Sequence, residues 1–177
     1  METTGRSCLK EDEDVDTAVS AAREKLKNVT PLKRNCGHIC GARCCRSLEG
    51  EETGMLLFPG EEEAYEGKAD WRIRQTAQGN MVICSGICDR DERPLSCRLF
   101  PLLPIIGGNG VIRVTMDMRA RAVCPLARQG KSAMDPAFIE AVRRAGELLM
   151  QSEEQAAFLN LLAEEQIELK ELRKRFK

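Results

Sequence analysis

Histidine is nearly missing from this chain: His38 is the only one in 177 residues. Any mechanism that needs two is excluded. Aromatic residues make up only 4%, with one Trp and one Tyr. The core expected from this composition is modest and built from Leu, Ile, Val and Met. No apolar run approaches the roughly 18 residues that a membrane-spanning helix requires. Residues 1–30 are charged and lack the apolar stretch of a signal peptide, so a cytoplasmic protein with no membrane partner is expected. The basic excess of a nucleic-acid binder is also absent. Lys and Arg number 27 against 28 Asp and Glu, a net charge of −1, and no nucleic-acid partner is expected. A glycine-rich cofactor loop, a Ser-His-Asp set and a Walker motif are likewise missing.

What the chain has in quantity is cysteine, nine in all. A reducing compartment disfavours stable disulfides, so clustered cysteines without an export signal read as metal sites or redox catalysts. Eight of the nine are organised. Cys36, Cys40 and Cys44 are spaced by three intervening residues and Cys45 follows directly, in CGHICGARCC. Cys84 and Cys88 form a second C-x3-C pair, Cys97 lies further on, and Cys124 precedes Pro125. Cys8 stands alone near the N-terminus. Thiolates are soft ligands that select zinc, iron–sulfur clusters or Cu(I). Both structural zinc and iron–sulfur clusters use such spacings, so spacing points to metal and leaves its identity open. On a continuous helix Cys36 and Cys44 would lie about 12 Å apart, too far for one zinc ion. Either the segment bends at Gly37 and Gly41, or these thiols serve two sites, or some are spare. Arg34, Arg43, Arg46, Arg90, Arg93 and Arg98 crowd the cysteines. They either offset thiolate charge or form a solvated basic surface.

The order CGHICGARCC, GMLLFPGEEEAY, CSGICDRDERPLSCRLFP and AVCP resembles the YkgJ cysteine-cluster family, also described as the CxxCxxCC zinc- or iron-chelating domain. The match runs from Cys36 to Pro125, about half of the chain. Its most specific piece is Arg93-Pro94-Leu95-Ser96-Cys97-Arg98-Leu99-Phe100-Pro101, similar to the family's RPxxCRxFP signature. The resemblance implies a metal-chelating site drawn from Cys36, Cys40, Cys44, Cys45, Cys84, Cys88, Cys97 and Cys124. The ligand would be an iron–sulfur cluster of the 4Fe–4S type or zinc, with Arg93 and Arg98 bonding its sulfurs or a nearby carboxylate. The sequence departs from the family name in having three-residue gaps in the first cluster. Its C-x3-C-x3-C also differs from the C-x3-C-x2-C loop of radical-SAM enzymes.

Three functions follow: a metalloprotein with a redox or sensing centre, a structural zinc domain that binds another protein, or part of a protein-modifying, methyltransferase-like enzyme. Within the first cluster His38 is either a ligand or second donor, or an exposed loop residue. Glu61, Glu62, Glu63 and Tyr65 read more readily as the start of a helix than as acid–base groups. Gly107-Gly108-Asn109-Gly110 lacks the Lys-Ser/Thr of a phosphate loop and predicts a hairpin turn.

The expected fold is α+β: a small, irregular cysteine-stapled centre with short antiparallel strands, flanked by an N-terminal helix and two C-terminal helices. Residues 1–15 are expected to form a disordered tail, 16–130 the metal-binding domain, and 131–177 a helical extension packed on it. Helix is predicted from Asp16 to Asn28, and strands at Trp71–Thr76, Met81–Cys84 and Val111–Met116. Leu99–Ile106, with its two prolines, reads as an edge strand or irregular extended segment. Asp135-Pro136 and Ser152 with Gln155 are helix-start signals. An apolar stripe is expected through Phe158, Leu159, Leu162, Ile167 and Leu172.

Overall fold

The computed structural model describes residues 8–46, 54–84, 86 and 88–176. Residues 1–7 of the expected tail lie outside the described residues. The fold is α+β. The first helix, α1 (Cys8–Lys25), begins eight residues before the expected Asp16. Leu9, Lys10, Glu11 and Glu13 are good helix formers, and acidic residues near a helix N-terminus favour its dipole. Ala18, Val19, Ala22 and Leu26 are buried at helical spacing on one face. Arg90 closes the other end of α1 by donating to the carbonyls of Leu26 (3.0 Å) and Lys27 (3.1 Å). These are acceptors that a helix C-terminus leaves without partners.

Two small antiparallel sheets follow. In the first, β1 (Gly54–Leu56), β2 (Trp71–Thr76) and β3 (Gly79–Cys84) are ordered β1-β3-β2. The register sets Trp71 opposite Cys84 and Gly54 opposite Ile83. A Cβ on Gly54 would stand 2.5 Å from the Val82 carbonyl oxygen, so this close pairing requires glycine. The second sheet is a hairpin of β4 (Leu102–Ile106) and β5 (Ile112–Met116). The Gly107–Gly110 stretch is its turn, closed by Gly107 N–H donating to Val111 O at 2.9 Å. With only two strands both are edges, which is why Pro104 is tolerated opposite Val114.

Four short helices, α2 (Cys36–Cys40), α3 (Leu95–Leu99), α4 (Ala120–Val123) and α5 (Pro125–Gln129), carry or border Cys36, Cys40, Cys97 and Cys124. Leu99 thus ends a helix rather than opening an extended segment. Pro94 sits at the α3 N-cap, where a missing N–H costs nothing.

The chain ends in α6 (Pro136–Leu149) and α7 (Glu153–Arg175). Both caps expected from the sequence are present. Asp135 accepts from Ala137 N–H at 2.9 Å, and Ser152 accepts from Gln155 N–H at 3.5 Å. α6 buries Phe138, Ala141, Val142, Ala145 and Leu149 in one core shared with α1, α3, β4 and α7. Full burial of each large side chain contributes roughly 1.5–3 kcal/mol. The apolar stripe of α7 stops early, because Phe158, Leu159 and Leu162 are buried but Ile167 and Leu172 are 59% and 48% exposed. Beyond Leu162 the helix meets polar partners instead. Buried Gln166 accepts from Met118 N–H at 2.7 Å and reaches Asp117, which Arg119 grips from 2.8 Å. That lock sets the approach to α4 and hence to Cys124.

Candidate metal centre

The first cluster is a broken helix. α2 is a single turn capped by Asn35, whose side chain accepts from Gly37 N–H at 3.0 Å. Gly41 and Ala42 then both adopt left-handed backbone angles, φ +66 and +53. Two such residues in a row end α2 and turn the chain into a 3₁₀ turn at Arg43–Cys45. Of the two glycines at which a bend was one alternative, Gly41 turns the chain and Gly37 lies inside α2, so the continuous helix with its 12 Å separation is absent.

Cys36 and Cys40 lie four residues apart, on one face of α2. Neither α2 nor the following turn contributes a buried residue. The Sγ atoms of Cys44 and Cys45 are 3.9 Å apart. This pair shares a proton: the hydrogen bond with Cys44, helped by Arg93, pulls Cys45 down to about 6, and Cys44 is pushed up in turn.

The other cysteines come from core-supported elements. Cys84 ends β3 and Cys88 follows it across Gly86, and both thiols pack against the small cluster of Leu57, Tyr65, Trp71 and Val82. Cys97 lies on α3 between buried Leu95 and Leu99, and burial pushes its thiol well up. Cys124 caps α5, just after α4, which touches the Arg43–Cys45 turn. Cys44, Cys45, Cys84 and Cys97 line one cavity of about 30 Å³, walled by Trp71 and Val82. That is room for an ion or a water and far too little for an organic substrate. All eight clustered cysteines are free thiols. Among the described residues no three His, Cys or carboxylate side chains already converge into a finished metal cage. The donor set, eight soft thiols beside a guanidinium, fits zinc or an iron–sulfur cluster.

The two arginines singled out by the signature are separated by the fold. Arg93 hydrogen-bonds Cys88 and faces Cys45 and Cys97. Its Nε is buried with no partner, leaving a donor for a sulfur ligand. Arg98 points the other way. It donates to the Asp91 carbonyl at 2.8 Å and the Arg93 carbonyl at 3.1 Å, and so braces the loop that presents Arg93. Arg90 lies near Cys36 but is occupied by the α1 carbonyls. Arg34, Arg43 and Arg46 are exposed, as is His38.

One residue that reads in the sequence as the start of a helix instead holds the loops in place. Glu61 is 3% exposed. It accepts from Leu95 N–H (2.8 Å), Phe58 N–H (3.1 Å) and Arg23 (3.1 Å). Burial pushes its carboxyl up, and those three donors pull it back. Tyr65 extends the network by donating to Glu92 O at 2.8 Å. Glu61 thus ties α1, the end of β1 and the start of α3 together two residues from Cys97. Its neighbours Glu62 and Glu63 form a short 3₁₀ turn. No protein-family description, curated protein or solved structure matches the chain.

Proposed function

We propose that this chain is a metal-binding protein of the cysteine-cluster type, holding an iron–sulfur cluster or zinc through thiolates in a reducing compartment, the cytoplasm. The carrying observation is that Cys36, Cys45, Cys88 and Cys97, from separate stretches of chain, lie near Arg93, and that all eight clustered cysteines are free thiols. The Cys97 thiol, pushed well up by burial, is a poor nucleophile, and the cavity it lines admits no organic substrate. A metal ion resolves both features, since it deprotonates its thiols and fills an ion-sized space. Arg93 would offset the negative charge of the loaded centre. The resemblance to the YkgJ cysteine-cluster family supports the same reading.

One observation favours a structural zinc domain as the second reading. The Cys36–Cys45 segment has no buried residue of its own, so a metal staple would supply the attachment that apolar packing does not. Such a domain would present that segment to a protein partner.

Anaerobic purification followed by a visible spectrum and elemental analysis on one sample tests both readings. A brown protein with iron and acid-labile sulfide supports the cluster. A colourless protein with stoichiometric zinc supports the structural domain. A chain that binds neither refutes metal binding.

A further inference from the structure

The α7 helix outruns the core that supports it. Its seam with the Met118–Val123 stretch is closed at buried Gln166, which accepts from Met118 N–H. Beyond that point the seam opens into two clefts. The larger, of about 500 Å³, is lined by apolar Met118 and Ile167 and by four cations, Arg121, Lys170, Arg173 and Lys174. Its one carboxylate, Glu171, is already held by Lys174 at 2.6 Å. The smaller, of about 350 Å³, shares Met118, Arg121 and Arg173 and adds Ala122 and Leu169. It also includes Arg119, which Asp117 and Glu165 hold. Arg121 and Arg173 therefore border both clefts.

Among the described residues no carboxylate pairs with Arg121, Lys170 or Arg173. The dipole of α7 accounts for basic residues in its last turn, Arg173 to Arg175. It does not account for Arg121, which belongs to α4, or for an isoleucine left 59% exposed among the cations. We propose that this groove binds an acidic amphipathic helix of another protein. Such binding is independent of the metal reading.

Charge complementarity selects the occupant. Glutamates or aspartates on the incoming helix meet Arg121, Lys170 and Arg173, and its apolar side chains cover Ile167, Leu169 and Met118. An amphipathic helix laid in a groove supplies both sets at once, and methionine adapts readily to the shape of a partner. A nucleic acid would use the cations and leave Ile167 in water. The net charge of −1 also gives the chain no long-range pull on such a polymer.

The probe is a fluorescein-labelled synthetic peptide of about four helical turns, with Leu at i, i+3, i+4 and i+7 and Glu and Ala elsewhere. Fluorescence anisotropy follows its binding to the full chain at about 0.15 M salt. Saturable binding is expected. Arg121→Glu with Arg173→Glu should weaken it about tenfold or more. Lys33→Glu with Arg113→Glu makes the same charge change at exposed residues that line neither cleft, and should leave affinity within about twofold. Replacing the peptide's Leu by Ala, or its Glu by Lys, should also cost about tenfold or more. All four substituted residues are exposed, and circular dichroism confirms that the variants fold.

No saturable binding to wild type would overturn the proposal, as would equal weakening by the two double variants. Undiminished binding of the Ala-for-Leu peptide would do the same, because the site would then read charge alone. So would a single-stranded RNA of matching charge that binds the groove more tightly than the peptide. A wild-type dimer by light scattering that Arg121→Glu with Arg173→Glu converts to monomer would assign the groove to a second copy of this chain instead.

Discussion

Replacing Glu61 should cost more stability than any exposed glutamate in this chain, and the size follows from its partners. In Glu61→Ala the Phe58 and Leu95 amides lose their acceptor. Each orphaned buried donor costs about 1–3 kcal/mol. Arg23 loses one acceptor but keeps Tyr65 OH and the Asp91 carbonyl, so it adds little. The expected loss is about 3–5 kcal/mol, a large share of the ~5–15 kcal/mol that holds a typical domain together. Glu61→Gln keeps the volume and one acceptor oxygen but turns an N–H₂ toward a second donor, and should lose about 1–2 kcal/mol. Urea unfolding followed by circular dichroism, at fixed metal content, measures both. A Glu61→Ala chain within ~1 kcal/mol of wild type at unchanged m-value would refute the idea that this carboxylate ties the three elements together.

Two further outcomes are expected. Gly146 on α6 faces β4 and β5, where an added Cβ would lie 2.6 Å from Pro104 Cβ and 2.9 Å from Ile112 Cγ2. Gly146→Ala gains about 1 kcal/mol of helix propensity and loses about 1–3 kcal/mol to overpacking against a rigid proline ring. The melting temperature should therefore fall, and a rise would show that the hairpin yields. Tyr65 is the single tyrosine, so its phenol can be followed alone by ultraviolet absorbance. Burial raises it to about 12 from an ordinary 10.0. The unfolded chain releases this proton first, so Tyr65's contribution to stability is whole below pH 10 and is lost as pH rises toward 12. A midpoint near 10 in the folded protein would contradict that burial.

The parts of the fold legible in the sequence are those with local chemical signals. Asp135-Pro136 and Ser152 with Gln155 mark helix starts because a side-chain oxygen satisfies amides within three residues. The Gly107–Gly110 turn and the alternation of Trp71–Thr76 are equally local. What escaped depends on contacts distant in sequence. β1 is three residues long and exists because β3 runs beside it. α3 is a single turn between prolines, and the same prolines suggest an extended segment. Glu61 is one of three consecutive glutamates, and only the tertiary fold distinguishes the buried one from its solvated neighbours. Arg93 and Arg98 are equivalent in the signature, but the fold gives them different partners: Arg93 meets Cys88, and Arg98 meets the backbone carbonyls of Asp91 and Arg93.

The cysteine spacing shows most clearly what a motif can and cannot carry. C-x3-C occurs in both clusters. In α2 it is one turn of helix, so both sulfurs project from one face with no help from the core. In the second pair Cys84 ends a strand, Gly86 is left-handed, and both thiols are pressed on the Trp71 cluster. Identical spacing thus describes one self-contained turn and one pair held by long-range packing. Metal identity is not encoded in either, because the spacing sets the number of thiols brought close and not their final geometry. That geometry comes from the elements beneath them: β3 and α3 under the second set, and little besides the chain's own turn under the first. A metal bound by the Cys36–Cys45 thiols would therefore do more to hold its own ligands in place than one bound by Cys84, Cys88 and Cys97.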